Sequence, residues 1–196
     1  PKAVLISFEV PEEEKERFRF EAGQYLTLET KINEKVVRRS YSICNAPSEG
    51  LRVAIKEVPE GVFSTYANRS LSEEDQMMVT PPDGRFRFVP SGQAQTLIGF
   101  AAGSGITPVM SILKTALLDH PENRFHLVYG NKTPEDTMFY QELKDLENTF
   151  SGRLSIQWVF SRANVEGSLF GRVEANVIKS ALKHLEGSAD KFYLCG

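Results

Sequence analysis

The chain has 196 residues, of which 41% are hydrophobic and 25% charged, so it is a folded globular protein and not a disordered, collagen-like or low-complexity one. Lys and Arg number 23 against 26 Asp and Glu, a formal net charge of −3, so no global positive field exists to hold a nucleic-acid backbone or an anionic membrane. The length suits one large domain or two small ones, each able to bury a core.

The first part of the chain reads as short strands at residues 4–10, 24–30, 35–43, 51–58, 76–82 and 85–89. They recur about every 10 residues and are broken by Gly, Pro and Asn, the pattern of an antiparallel barrel or sandwich. One helix is expected from Phe63 to Asn68, and the Glu-rich stretch Pro11 to Arg17 reads as a solvated loop or turn. Pro90-Ser91-Gly92-Gln93 reads as a linker. Beyond it, strands at 96–103, 124–130, 153–160 and 191–195 alternate with helices at 106–118, 136–148 and 172–185. Such alternation implies parallel βαβ units with right-handed crossovers. The expected architecture is therefore an N-terminal antiparallel β-barrel domain over 1–90 and a C-terminal α/β doubly wound parallel sheet over 94–196.

Cys44 and Cys195 have no CxxC spacing, and His120, His126 and His184 are scattered, so no metal site, iron–sulfur cluster or disulfide framework is expected within these residues. Two unpaired thiols suggest a reducing compartment. There is no apolar run long enough to span a bilayer and no signal-peptide pattern at the start, which favours the cytoplasm. Pro1 stands where an initiator methionine would, and the chain stops one residue after a strand, so further segments are expected before and after.

Ligands of doubly wound sheets bind beyond the carboxyl ends of the strands, where strand order reverses. Four segments qualify: Gly103-Ser104-Gly105-Ile106-Thr107-Pro108, Tyr129-Gly130-Asn131-Lys132, Ser161-Arg162 and Cys195-Gly196. The first is placed to cradle a phosphate, since glycines let backbone approach closely and a helix start offers free N–H groups. It differs from the usual dinucleotide fingerprint because Pro108 replaces the third glycine, and it also reads as an ordinary Gly-rich turn. Thr107 suits an N-cap and Pro108 the first helical position. Ser161 and Arg162 could grip a phosphate monoester, or Arg162 could be a solvated loop arginine. Cys195 could face the same crevice or be a buried structural thiol. In the first half, Arg38-Arg39-Ser40-Tyr41-Ser42 combines guanidinium, ring and hydroxyls on one strand, suited to a flat, phosphorylated ligand. Period-two alternation puts Arg39, Tyr41 and Ile43 on one face and Ser40 and Ser42 on the other. A barrel strand of mixed polarity is the plainer reading.

Taken in order, Gly23 to Leu26, Arg39 to Ser42, Gly61 to Ser64, Pro82 to Phe86, Gly103 to Pro108, Tyr129 to Asn131, Ser161-Arg162 and Tyr193 to Gly196 resemble the ferredoxin–NADP reductase family of flavin-dependent electron transferases. Within that family the chain is similar to flavohaemoglobin-like reductases and to the reductase components of phenylacetyl-CoA oxygenase-type systems, in which an iron–sulfur domain follows. The resemblance implies FAD and NAD(P)H as cofactors. It implies that Arg39 neutralises the FAD pyrophosphate, Ser40 belongs to the same binding strand, Tyr41 stacks on the isoalloxazine, Ser42 lies near flavin N5 and Tyr25 adds a flavin contact. Gly61, Val62, Phe63 and Ser64 would offer backbone N–H groups to the pyrophosphate. Gly103, Ser104, Gly105 and Thr107 would take the NAD(P)H pyrophosphate and ribose, with Thr107 close to the nicotinamide. Cys195 and Gly196 would sit beside the nicotinamide, and Ser161 with Arg162 would contact the nucleotide. Two departures stand out: the family's tail beyond Cys-Gly is absent, and Glu60-Gly61-Val62 lacks a second glycine before the helix.

The implied activity is an NAD(P)H-dependent flavoprotein reductase, hydride passing to the flavin and electrons then passing singly to an iron–sulfur or haem partner, with phenylacetate degradation as the setting. An iron–sulfur domain or protein, which could belong to the same full-length chain, and a downstream oxygenase or haem protein are the implied partners, with no nucleic acid and no membrane. NADPH is favoured over NADH because Arg162 stands at a strand end without an acidic residue. Two other readings stay open, an FAD-holding relay protein that takes no hydride itself and a flavin-free nucleotide sensor.

Overall fold

A computed structural model describes residues 1–183 and 188–196. The N-terminal half pairs β1 (Ala3–Phe8) antiparallel with β4 (Leu51–Lys56), and sets β2 (Tyr25–Ile32) between β3 (Lys35–Ser42) and β5 (Met78–Val79). An isolated pairing of Ile43 with Val53 joins the two sheets. They share a core of Leu26, Leu28, Ile43, Leu51, Val53, Ile55 and Phe63, the last supplied by α1 (Val62–Arg69).

The C-terminal half is a five-stranded parallel sheet in the order β10-β6-β7-β8-β9, from β6 (Thr96–Ala102), β7 (Arg124–Asn131), β8 (Leu154–Phe160), β9 (Leu169–Phe170) and β10 (Lys191–Cys195). Strand order reverses between β6 and β10. Helix α2 (Ile106–Leu118) covers one face with α3 (Tyr140–Thr149), and α4 (Ala175–Leu182) packs on the other against Ile98, Phe100, Val128 and Val159. All of α2 from Ile106 to Leu117 is buried, its mostly apolar surface interrupted by the buried polar residues Thr107, Ser111, Lys114 and Thr115. One of its sides meets the sheet, while Ala22, Cys44, Ala54 and Phe88 of the N-terminal half join the same core. The two halves thus share a hydrophobic interior.

Several expectations are corrected. Residues 85–89 form no strand: Gly84, at φ +123°, turns the chain out of the ladder after Asp83 pairs with Tyr25, and Phe88 is drawn into the core around α2. β5 is only two residues long, because Pro81 and Pro82 have no N–H to give a ladder. α3 starts at Tyr140 and not at 136, since Phe139 precedes it in a left-handed conformation at φ +59°. α4 starts at Ala175 and not at 172; its expected end at 185, like His184, lies outside the described residues. The short β9 had no sequence signal. The Pro11–Arg17 stretch holds a short 3₁₀ turn, Glu12–Glu14, and its charges are compensated locally by Lys15 on Glu12, Arg17 on Glu14 and Arg19 on Glu16.

Candidate functional site

On the N-terminal half, β3 keeps its alternation. Arg39 and Tyr41 lie opposite Leu28 and Leu26 of β2, Ser40 faces Thr27 and Ser42 faces Tyr25. The Ser40 and Thr27 hydroxyls are hydrogen-bonded at 2.9 Å. Tyr41 packs against the N-terminal core with its ring 5.5 Å from that of Phe63, which brings β3 alongside the start of α1. There the first N–H with an intrahelical partner is that of Thr65, on the Gly61 carbonyl, so those of Val62, Phe63 and Ser64 are left for a ligand. The Ser64 hydroxyl is used locally: it donates to the Gly61 carbonyl and accepts from the Val58 N–H. Arg39 is exposed and forms no ion pair among the described residues, its guanidinium donating only to the neighbouring Arg38 carbonyl. A positive fork beside free N–H groups and an aromatic face can hold a pyrophosphate joined to a flat ring. Tyr25, Thr27, Arg38, Arg39, Ser40, Thr80, Pro81 and Asp83 line an open groove of about 550 Å³ on the same sheet.

On the C-terminal half, β6 ends in a 3₁₀ turn, Gly103–Gly105, that runs directly into α2. Thr107 therefore does not cap the helix. Gly105 already has helical dihedrals (φ −62°, ψ −9°), and Thr107 and Pro108 fall inside the first turn, where the missing proline N–H costs nothing. The Thr107 hydroxyl donates to the Ser104 carbonyl at 3.1 Å. From behind, the buried Tyr129 donates to the Gly103 carbonyl at 2.9 Å. Gly103 itself is left-handed at φ +53° with open space where a Cβ would project.

The end of β10 closes on this turn. A Cβ on Gly105 would lie 2.2 Å from the Cys195 carbonyl oxygen and 2.6 Å from the Gly196 nitrogen. Cys195 and Gly196 are thus brought against Gly105, at the point where strand order reverses. The Cys195 thiol is half-buried and burial raises its pKa, so it stays protonated at neutral pH. At the end of β7 the Asn131 side-chain nitrogen is buried without a hydrogen-bond partner among the described residues. An orphaned donor beside a glycine turn and a helix start fits an oxygen-rich ligand such as a dinucleotide. The loops after β7 and β8 are tied together by Ser161 N–H to the Asn131 carbonyl at 3.0 Å and Arg162 N–H to the Lys132 carbonyl at 2.9 Å. Arg162 is exposed, with no ion pair among the described residues.

Sequence reasoning missed the contacts that join the two halves. The Ser111 hydroxyl donates to the Asn45 carbonyl at 2.8 Å and accepts from the Gly23 N–H at 3.3 Å. Lys114 reaches Glu49 at 2.6 Å and Glu142 at 2.9 Å. Burial opposes its charge, yet hydrogen bonds and charges from both carboxylates outweigh burial and raise its pKa. The available signal was a lone lysine inside the apolar run ITPVMSILKTALL. No group of His, Cys, Asp and Glu suited to a metal ion occurs among the described residues, and none of their helices is long and apolar enough to cross a membrane.

Residues 2–88 match the oxidoreductase FAD-binding domain and residues 100–196 the oxidoreductase NAD-binding domain. The chain is 36% identical over 199 residues to a component of the 1,2-phenylacetyl-CoA epoxidase of Escherichia coli K12, covering 99% of this chain and 56% of that protein. It is 33% identical to the ferredoxin reductase component of 3-ketosteroid-9-alpha-monooxygenase from Rhodococcus rhodochrous, covering 80% of this chain and 45% of that protein. A ferredoxin–NADP⁺ reductase from Neisseria gonorrhoeae with bound FAD and NADP superposes with a TM-score of 0.75 at 22% identity, covering 98% of this chain and 76% of that one, a likeness of fold. The chain spans about half the length of these curated relatives.

Proposed function

The chain belongs to the family of FAD- and NAD-binding oxidoreductases of ferredoxin–NADP reductase type, and from that premise we propose that it is the reductase portion of an oxygenase system, oxidising NAD(P)H through FAD. The observation that carries this reading is the convergence of two ligand platforms on one helix. α2 begins at the glycine turn against which Cys195 lies, and one turn further on its Ser111 holds the carbonyl of Asn45, three residues beyond Ser42 of β3.

Residues 1–90 would hold the flavin and 94–196 the nucleotide. Arg39, Ser40 and the Val62, Phe63 and Ser64 N–H groups would bind the FAD pyrophosphate; Tyr41 and Tyr25 would contact the ring system, and Ser42 would lie near flavin N5. Gly103, Ser104, Gly105 and Thr107 would receive the nucleotide pyrophosphate, with Thr107, Cys195 and Gly196 beside the nicotinamide. Ser161 and Arg162 would grip a 2′-phosphate, making NADPH the preferred nucleotide. When bound, the flavin supplies the hydride acceptor and the means of releasing electrons one at a time. The chain's own contribution is orientation, exclusion of water and donation of hydrogen bonds; the protonated Cys195 thiol is a donor there and not a nucleophile.

The kinship with components of two oxygenase systems supports an iron–sulfur or haem oxygenase partner, and the 36% identity to the epoxidase component supports phenylacetyl-CoA oxygenation as the setting. Dependence on NAD(P)H and two unpaired thiols support a cytoplasmic location. Anaerobic titration of the FAD-loaded chain with NADPH and then NADH, followed by visible flavin absorption, tests the assignment. Bleaching by both, at a lower concentration of NADPH, is expected; no bleaching by either would overturn it.

A further inference from the structure

We propose that Ser111 and Lys114 are positioning residues for hydride transfer, stitching α2 to the flavin-side loop so that the two halves of the cleft keep a fixed register; the inference rests on the reductase reading above. Thr107, Ser111 and Lys114 are four and then three positions apart, which puts them along one face of α2. Thr107 lies at the nucleotide end. The other two make contacts beside the proposed flavin residues. Ser111 bonds Asn45, three residues after Ser42, and Gly23, two residues before Tyr25. Lys114 pairs with Glu49 on the same loop and with Glu142 on α3.

The loop is held in shape to receive these bonds. The Asn45 amide donates to the Ala46 and Gly50 carbonyls, and the Glu49 carboxylate accepts from the Ala46 N–H. An ion pair that buries its lysine against partly exposed carboxylates is a poor way to gain stability, because an apolar side chain of the same length escapes the ammonium's desolvation cost. Lys114, only 8% exposed and the one charged residue of α2, is better explained by what it fixes. Two carboxylates on separate elements define one place for the ammonium, and hence the rotation and advance of α2 against the β3 end. Reacting atoms displaced by about 1 Å lose about a hundredfold in rate, so control of this register bears directly on transfer.

The test compares the FAD-loaded chain with its Lys114→Met, Lys114→Arg and Ser111→Ala variants in two assays. Hydrogen–deuterium exchange across 22–24 and 45–50, without nucleotide, reports the stitch itself. Anaerobic stopped-flow bleaching with NADPH separates the limiting rate from the half-saturating concentration. For Lys114→Met we expect exchange in both segments faster by about tenfold, the limiting rate lower by about tenfold, half-saturation within about twofold and FAD retained. Lys114→Arg, which keeps the charge and has donors enough for both carboxylates, should keep exchange and rate closer to wild type than Lys114→Met does. Ser111→Ala should move both readouts the same way, and it decides the matter if Lys114→Met does not fold. Wild-type exchange and limiting rate in Lys114→Met, or parallel losses in rate and half-saturation, would overturn the proposal. A wild type that NADPH never bleaches would refute the reductase reading, while the exchange data would still decide the stitch.

Discussion

Gly105→Ala perturbs a very close backbone approach in the proposed nucleotide cleft. The new Cβ would lie 2.2 Å from the Cys195 carbonyl oxygen, and since ordinary contact begins near 3.4 Å, the strand end and the helix start would have to part by about 3.4 − 2.2 = 1.2 Å. The atoms in the way are backbone, and Cys195 is pinned by its parallel pairing with Ala101, so no side chain can simply swing aside. Overpacking of this kind costs about 1–3 kcal/mol, roughly 3–10 °C in Tm for a chain of this size. The larger effect falls on the site. Moving Cys195 and Gly196 about an ångström from Thr107 should lower the limiting rate of flavin bleaching about a hundredfold while leaving FAD bound, because β3 and α1 are untouched. Gly103→Ala is the control. Its Cβ enters open space in the nucleotide-free chain, so for stability only the left-handed backbone strain of about 1 kcal/mol remains. Thermal unfolding and anaerobic stopped-flow absorption read both quantities. A Gly105→Ala protein that melts and bleaches like the wild type, or a Gly103→Ala protein that melts below Gly105→Ala, would refute the reasoning.

Arg39→Ala should weaken FAD binding about 10- to 100-fold, the worth of a charge-assisted hydrogen bond, by calorimetric titration of the flavin-free chain; unchanged affinity would contradict the flavin assignment. Arg162→Ala should raise the half-saturating NADPH concentration about tenfold or more and leave that of NADH nearly alone; equal losses would remove the argument for a 2′-phosphate grip. Cys44 carries a pH prediction. Burial first, then the charge of Glu142, pushes its thiol up to about 12 from an ordinary 9.0, so the unfolded chain ionises before the folded one. Its contribution is intact below about pH 9 and falls as pH rises toward 12, amounting to a loss of about 1.4 kcal/mol at pH 10. Urea unfolding at pH 7 and pH 10 measures the decline, and Cys44→Ala should remove the thiol's share of it.

The sequence exposed what periodicity and punctuation encode. β2, β3, β6, β7 and α2 fall within a residue or two of expectation, because alternation and apolar runs are local properties. It failed where tertiary packing overrules local pattern. Residues 85–89 alternate like a strand, yet Phe88 gains more by entering the core around α2 than its backbone would from a ladder. Thr107 has the chemistry of an N-cap, but the 3₁₀ turn before it leaves no extended residue to cap from. The strand carrying Arg39 to Ser42 and the turn from Gly103 to Gly105 could be picked out because each is a compact cluster of chemistry. Ser111 and Lys114 could not, since their meaning depends on Asn45 and Glu49, far away in the chain and adjacent only after folding.

The interior shared around α2 bears on how such proteins can be recombined. Ala22, Cys44, Ala54 and Phe88 from one half share a core with the helix that follows the Gly103–Gly105 turn, so a cut at Pro90 would leave apolar surface bare on one fragment and its complement bare on the other. Swapping in a foreign nucleotide unit to change cofactor preference would have to bring along, or redesign, the loop from Cys44 to Glu49 and the crossing segment from Asp83 to Phe88. The exchangeable module is therefore larger than the fold boundary suggests, and grafting only the strand-end loops proposed to touch the nucleotide is the route that leaves this seam intact.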